Sequence, residues 1–494
     1  MSQTLVSFSG KIRVRDGVEI GFDCTLPPGA SAGSPVPALL ARSPYGRNHY
    51  KIDPWLRLID AGYALVVTDT RGRGESTGDF VPWTNDGYDG YDVVEWVAAQ
   101  DWCTGDVGGV GVSYDAVTQY WAAQHQPPSL RCILPAAVSP QLEPPGTLAW
   151  SGGVPMPYWL WWFAVLQSDL TQGLPTFDWP AVLAVEPSQM ADVAGLPSRD
   201  WKDYVAGQIG YGEPGWAVDP SHITVPTYVV NGWWDDPKTL EWWELLQASP
   251  ARATHQLLIG PWDHGGNLGP RPNVGGLDVT DAILDPAVLW LQFLDRHLKP
   301  AHRELTAPAP VKVLRTGSWT WEELATWPLP SKPVHLALEA CSWTHEPRTP
   351  LLIDGLDLSS MEAARLNAFA HEPRPDVAWL DLPCAESDED YSGQPSLDIT
   401  VDQEHPGTLV AWLCDVGPDG TVVRLAAWPT ARAHPGDGAC TIVLRLPHVH
   451  HTLRAGHFFR LCLASSFAPM YAYGLERQEA SLTEGTLTLP TQAD

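Results

Sequence analysis

Residues 107–116 read VGGVGVSYDA, and the rest of the chain is best understood outward from them. The first half, valine spaced by glycine, has the pattern of a short buried strand, and the second half opens a helical pattern that ends near Gln126. Between them sits Gly111-Val112-Ser113. A sharp strand-to-helix turn at that point lifts a serine hydroxyl above the edge of a sheet and aims the next backbone N–H at a developing oxyanion. The general pattern GxSxG is broken at its last position by Asp115, so the segment taken alone reads equally as a serine in an ordinary strand-to-helix turn.

The chemistry supplies a further test. A serine hydroxyl is a poor nucleophile unless a base removes its proton and a carboxylate orients that base. In an open α/β sheet these partners follow the serine in the order acid, then histidine. The chain has both: YVVNGWWD (228–235) ends a predicted strand at Asp235, and HQLLIGPWDH (255–264) ends the next at His264. Alone, Asp235 reads as a helix N-cap and His264 as a surface histidine. Their joint occurrence, each at the carboxyl end of a strand, points to a Ser113–His264–Asp235 triad.

The flanking sequence fits an α/β fold. Before residue 139, strand-like runs (12–26, 36–45, 63–70, 107–112, 132–138) alternate with helical patterns over Trp55–Ala61 and Asp86–Gln100. Residues 139–221 lose that pattern to proline joints and aromatics, including Trp159, Trp161, Trp162 and Phe163, and are expected to form a helical cap insertion. The sheet resumes over 222–303, with helices expected near Pro237–Ala248 and Asp281–His297. Residues 304–494 hold many short strands at near-regular spacing, the signature of a jelly roll or β-sandwich. The expected fold is therefore an α/β sheet domain (1–138 and 222–303) with a helical insertion and a C-terminal jelly-roll β domain.

Composition narrows the function. A length of 494 residues suits two or three domains. A net charge of −28 opposes binding to nucleic acid and to anionic membrane surfaces, so neither is an expected partner. The longest apolar run, WLWWFAVL (159–166), is far short of a bilayer span. With no signal-like N-terminus and eight scattered cysteines without metal-ligand spacing, the expectation is a cytoplasmic protein with reduced thiols and no bound metal. The glycine-rich GRGESTG (72–78) lacks the G-K-[ST] ending of a phosphate loop and reads as a packed loop. Composition leaves homo-oligomer formation open.

Five spaced motifs, RSPYGR (42–47), DTRGRGESTGDF (69–80), DGYDVVEWVAAQDWCTGDVGGVGVSY (89–114), GWWD (232–235) and GPWDH (260–264), together with RAGHFFRLCLASSFAPMY (454–471), resemble the cocaine-esterase-like CocE/NonD family of α/β-hydrolases, related to α-amino acid ester hydrolases and X-prolyl dipeptidyl aminopeptidases. The resemblance makes the α/β sheet domain an α/β-hydrolase core with an inserted helical cap, and implies Ser113 as nucleophile, Asp235 as orienting acid and His264 as base. It implies Tyr45 as a side-chain oxyanion donor beside the backbone N–H of Tyr114. The family elbow places Asp115 at a variable position and Ala116 where a glycine is usual. Trp159, Trp162, Phe163 and Trp234 are expected to contact substrate. Asp69 and Arg71 are expected to form a structural pair; His457 matches a family position with no metal role, and His448, His450 and His451 are expected on a solvated strand face or loop. The implied activity is hydrolysis of a small-molecule carboxylic ester through an acyl-serine, with no metal or organic cofactor. The same triad serves amide cleavage or biosynthetic acyl transfer, and a fourth reading is a non-catalytic binding protein. Pro237 and Lys238 stand where amino acid ester hydrolases carry acids for a substrate ammonium, which disfavours amino-terminal recognition.

Overall fold

Each β-branched run of the first half becomes a strand. A computed structural model describes residues 5–50, 54–82, 84–140, 150–151, 153–167, 175–196, 201–202, 205, 218–268, 271–274, 276–302, 308–350, 373–426, 429–436 and 438–492. Ten strands form one sheet: β1 (Val6–Arg13), β2 (Glu19–Leu26), β3 (Val36–Ser43), β4 (Ala64–Asp69), β5 (Cys103–Val112), β6 (Leu130–Ala136), β7 (Tyr228–Trp234), β8 (Gln256–Asp263), β9 (Val311–Arg315) and β10 (Thr320–Leu324). Their order is β1-β2-β4-β3-β5-β6-β7-β8-β9-β10. The pairs from β4 through β9 run parallel, and the outer pairs are antiparallel.

Alternation along the strands sends side chains to two cores. Leu40, Val66, Val107, Ile133, Val229 and Leu257 face the layer containing α2 (Asp86–Ala98), α3 (Tyr114–Gln124) and, in chain order after the cap, α7 (Thr239–Leu246). Leu39, Leu65, Val110, Leu134, Tyr228 and Leu258 face α1 (Trp55–Asp60) and α8 (Pro286–Leu298). A parallel sheet covered on both faces is the α/β-hydrolase architecture. Helix α8 starts later than its expected onset at Asp281. The Asp285 carboxylate accepts the Ala287 N–H at 3.0 Å and Pro286 occupies the first turn, a strong start signal that leaves Thr280–Ala282 as a separate 3₁₀ turn.

Between β6 and β7 lie α4 (Tyr158–Gln167), α5 (Trp179–Leu183) and α6 (Met190–Val193), with a small pairing of Trp150–Ser151 against Val154–Pro155. Within this region residues 141–149 and 206–217 lie outside the described residues.

The C-terminal strands form two facing antiparallel sheets of seven and five strands. Leu397, Ile399, Leu409, Leu413, Leu461 and Leu487 fill the space between them. The expected end of the hydrolase sheet near residue 303 needs correction. The run APVKVLRTG, assigned from sequence to the jelly roll, supplies β9, which pairs in parallel with β8 at Leu257–Val311, and β10 then closes the edge. A strand leaving one domain for the next carries the same β-branched signal whichever sheet accepts it. Across the boundary, the indole N–H of Trp234 donates to the Arg424 carbonyl at 2.9 Å.

Candidate active site

The β5–α3 turn is a strained elbow. Ser113 adopts φ 63° and ψ −128°, a region that L-residues avoid, and Gly111 has φ 151°. A methyl group at Gly111 would come within 2.7 Å of the Asp115 Cβ, so only glycine lets β5 pass this close to α3. Tyr114 begins α3, which places its backbone N–H at the start of the helix beside Ser113. The Tyr114 hydroxyl donates to Asp86 at 2.6 Å, and Asp86 is itself paired with the buried Arg42. Asp115, at the position that breaks GxSxG, is buried and accepts the Tyr50 hydroxyl at 2.7 Å.

Asp235 follows β7 and is fully enclosed. One of its oxygens lies 2.9 Å from His264 Nδ1, and the other accepts the Asn267 side-chain N–H at 2.7 Å. The neighbouring acids have other duties. Asp236 accepts the Ser139 N–H at 2.7 Å and the Lys238 N–H at 3.1 Å, capping the turn into α7. Asp263 accepts the Gly266 N–H at 2.8 Å. His264 is reached through an irregularity of β8 between Gly260 and Asp263, where a side chain on Gly232 would overlap the Trp262 carbonyl. Burial alone would push the His264 imidazolium down. The Asp235 carboxylate and its hydrogen bond, with Asp263 and Asp236 behind it, outweigh that and hold the pKa above the ordinary histidine value.

Tyr45 lies just beyond the carboxyl end of β3. Its hydroxyl accepts the Trp162 indole N–H at 2.8 Å and is hydrogen-bonded with the Ser113 side chain. Burial raises its pKa, and both hydrogen bonds act in the opposite sense. The RSPYGR loop is braced by the glycine-rich loop: Arg73 donates to the Pro44 carbonyl at 3.0 Å, and Arg47 meets Asp69 at 2.7 Å. This corrects the expected Asp69–Arg71 pair, because Arg71 turns instead to Asp16 and Asp89.

Other sequence-predicted residues divide. Trp162 and Phe163 are buried and in mutual contact, and Trp159 packs edge-on against Trp162. Trp234, expected to meet substrate, is fully enclosed between β7 and the β domain, a packing position with no exposed face. The histidines expected on a solvated face are also otherwise placed. His448, His450 and His451 are buried at the junction of the two domains, with His450 Nε2 3.2 Å from Glu322 on β10 and His451 Nδ1 2.9 Å from Thr316. Alternation in a strand says which residues share a face, not whether another domain covers it. Sequence reading missed Asn267, whose only signal is its place three residues after His264 in GPWDHGGN, and Tyr158, which lies close to Tyr45 and Asp235. Among the described residues no group of three or more His, Cys, Asp or Glu could hold a metal ion, and no helix is long and apolar enough to cross a membrane.

With this geometry in view, the family model for X-Pro dipeptidyl-peptidase (S15 family) matches residues 16–266. The chain belongs to the S15 family. The S15 match is continued by the X-Pro dipeptidyl-peptidase C-terminal non-catalytic domain over residues 303–493. Cocaine esterase from Rhodococcus sp. (strain MB1 Bresler) is 29% identical over 353 residues, covering 65% of this S15 chain and 59% of the esterase. The chain thus spans less than two thirds of that relative's length. Among solved structures, an α-amino acid ester hydrolase superposes with a TM-score of 0.84 at 19% identity, covering 99% of this chain and 97% of the other. A CocE/NonD family hydrolase from Staphylococcus aureus superposes at 0.65 with 16% identity, covering 99% and 94%. These likenesses establish an α/β-hydrolase domain followed by a β-rich domain.

Proposed function

We propose that this S15 protein is a serine hydrolase that cleaves a small carboxylic ester through an acyl-serine intermediate. Ser113 Oγ attacks the ester carbonyl carbon while its proton passes to His264 Nε2, the ring nitrogen left over once Nδ1 is committed to Asp235. The carbonyl π pair becomes an oxyanion, received by the Tyr45 O–H and the Tyr114 backbone N–H. Collapse breaks the ester C–O bond, and the departing alkoxide takes the proton from His264. Water then attacks the acyl carbon with His264 again as base, and Ser113 leaves with its proton restored. Asp235 stabilises the imidazolium and fixes its tautomer.

The observation that carries this reading is the buried Asp235–His264 pair at 2.9 Å, with the second Asp235 oxygen secured by Asn267, in a chain whose Ser113 occupies a strained elbow against the Tyr45 hydroxyl. Support for ester over amino-terminal peptide substrates comes from Pro237 and Lys238 in place of acids after Asp235. The test is labelling with a fluorophosphonate followed by peptide mapping, with a panel of esters and amides alongside. Labelling is expected at Ser113 alone, and Ser113→Ala should remove it while lowering turnover on the order of 10⁴-fold or more. A label on any other residue, or none on the folded protein, overturns the assignment.

A further inference from the structure

We infer that Trp162, on the inserted helix α4, is a positioning residue that assembles the oxyanion hole. The inference rests on the role proposed above for Tyr45 and Tyr114. Side chains on adjacent helical positions point about 100° apart, so the aromatic run of α4 cannot act as one wall. Its members have separate tasks. Trp161 donates its indole N–H to the Pro175 carbonyl at 2.9 Å, within the cap itself. Trp162 is aimed at the elbow. Its N–H donates to the Tyr45 hydroxyl at 2.8 Å, and its ring stacks on Tyr114 with centroids 6.0 Å apart and planes 20° from parallel. One buried side chain thus touches both residues that supply oxyanion donors.

The hydrogen-bond inventory gives this contact a direction. An indole N–H only donates, so the Tyr45 oxygen must be the acceptor, and the single phenolic proton is left to point elsewhere. The Ser113 side chain is hydrogen-bonded with the same hydroxyl, and a proton turned away from the indole faces that side, where the oxyanion forms. Without the indole, the acceptor side of the phenol is no longer fixed, and the O–H gains other orientations about its C–O bond. Donation into the phenol oxygen also polarises the O–H, because hydrogen bonds in a chain strengthen one another in a low-dielectric interior. The cap helix therefore supplies part of the catalytic geometry in addition to covering it.

The experiment is a double-mutant cycle of Trp162→Phe and Tyr45→Phe, read as the rate of Ser113 phosphonylation by a fluorophosphonate, whose P–O oxygen occupies the oxyanion site. Trp162→Phe keeps a ring against Tyr114 and removes the N–H. It is expected to slow the saturated labelling rate about tenfold or more, within the roughly 10²–10³ range of a complete donor loss, while the half-saturating reagent concentration changes less than about threefold. In the Tyr45→Phe background the same change should cost less than about threefold, because its target is gone. Equal effects in both backgrounds, or an effect confined to half-saturation, would make Trp162 a pocket wall and overturn the inference. If Tyr45→Phe alone is silent, the role given to Tyr45 fails instead. Should Trp162→Phe unfold, replacement of Trp162 by 3-benzothienylalanine exchanges the N–H for sulfur at nearly equal size and must give the same pattern.

Discussion

At the scale of single residues, the proposed role of His264 as base makes its electrostatics set the acid limb of activity. The base must be neutral to accept the Ser113 proton, so acylation rises with pH through the His264 pKa. Asp235 holds that pKa above the ordinary value near 6.5 despite burial, which places the limb on the alkaline side of the usual histidine range. Asp235→Asn removes the nearest countercharge and leaves burial opposed only by Asp263 and Asp236. The limb is therefore expected to move to lower pH while the limiting rate falls about 10⁴-fold, measured as labelling rate against pH. A limb that stays in place in Asp235→Asn would mean that another group titrates. Ser113, Asp235 and His264, the proposed triad, could be singled out in the sequence because each ends a predicted strand in a fixed chain order. Asn267 was not, since a side chain that completes a carboxylate's hydrogen bonds needs only to arrive from somewhere. Trp162 was expected to contact substrate, and its contacts with Tyr45 and Tyr114 depend on how α4 seats against the elbow, a packing outcome that no local pattern encodes.

At the scale of elements, the strand-to-helix turns follow from local chemistry, and the sheet boundary does not. The first five strands and α1, α2 and α3 match β-branched runs and helical periodicities whose signals lie within a few residues of each other. The strands β9 and β10 carry the same signals but join the sheet that begins at β1, and only the pairing of β9 with β8, and of β10 with β9, decides it. The elbow is the element whose sequence demand is sharpest. Gly111→Ala puts a methyl group within 2.7 Å of the Asp115 Cβ at a backbone angle of φ 151°, and relief requires α3 to move away from β5. The expected cost is about 1–3 kcal/mol in a urea titration, with a matching loss of labelling rate as Ser113 and the Tyr114 N–H shift together. Unchanged stability and rate in Gly111→Ala would show that the turn has more slack than this close approach allows.

At the scale of the whole molecule, the two domains share a junction built from buried aromatics and histidines, and its protonation sets acid stability. His448 immediately precedes strand Val449–Leu453 and packs near Trp327, with the Glu244 carboxylate of α7 3.3 Å from Nε2 but without hydrogen-bond geometry. Burial therefore wins, and the imidazole is pushed down to about 4. His255, enclosed beneath β8 with Nδ1 accepting the Thr227 N–H, is likewise pushed down to about 4 by burial. Both groups bind a proton near pH 6.5 when unfolded and resist it until about 4 when folded, so the unfolded chain takes up more protons between those values. Their contribution to stability is complete above about 6.5 and is lost as pH falls toward 4. By pH 5 the loss amounts to roughly 2 kcal/mol for each group. His264, whose folded pKa is raised, acts in the opposite sense and sheds stability only as pH rises through its own value. Urea midpoints measured from pH 7.5 to 5 should therefore fall, and His448→Gln, which cannot take up a proton, should make that fall shallower. If His448 were instead held charged by Glu244, its folded pKa would lie above 6.5 and its contribution would be complete at low pH. His448→Gln would then steepen the acid loss, so the sign of the change separates a neutral histidine in the junction from an ion pair across it.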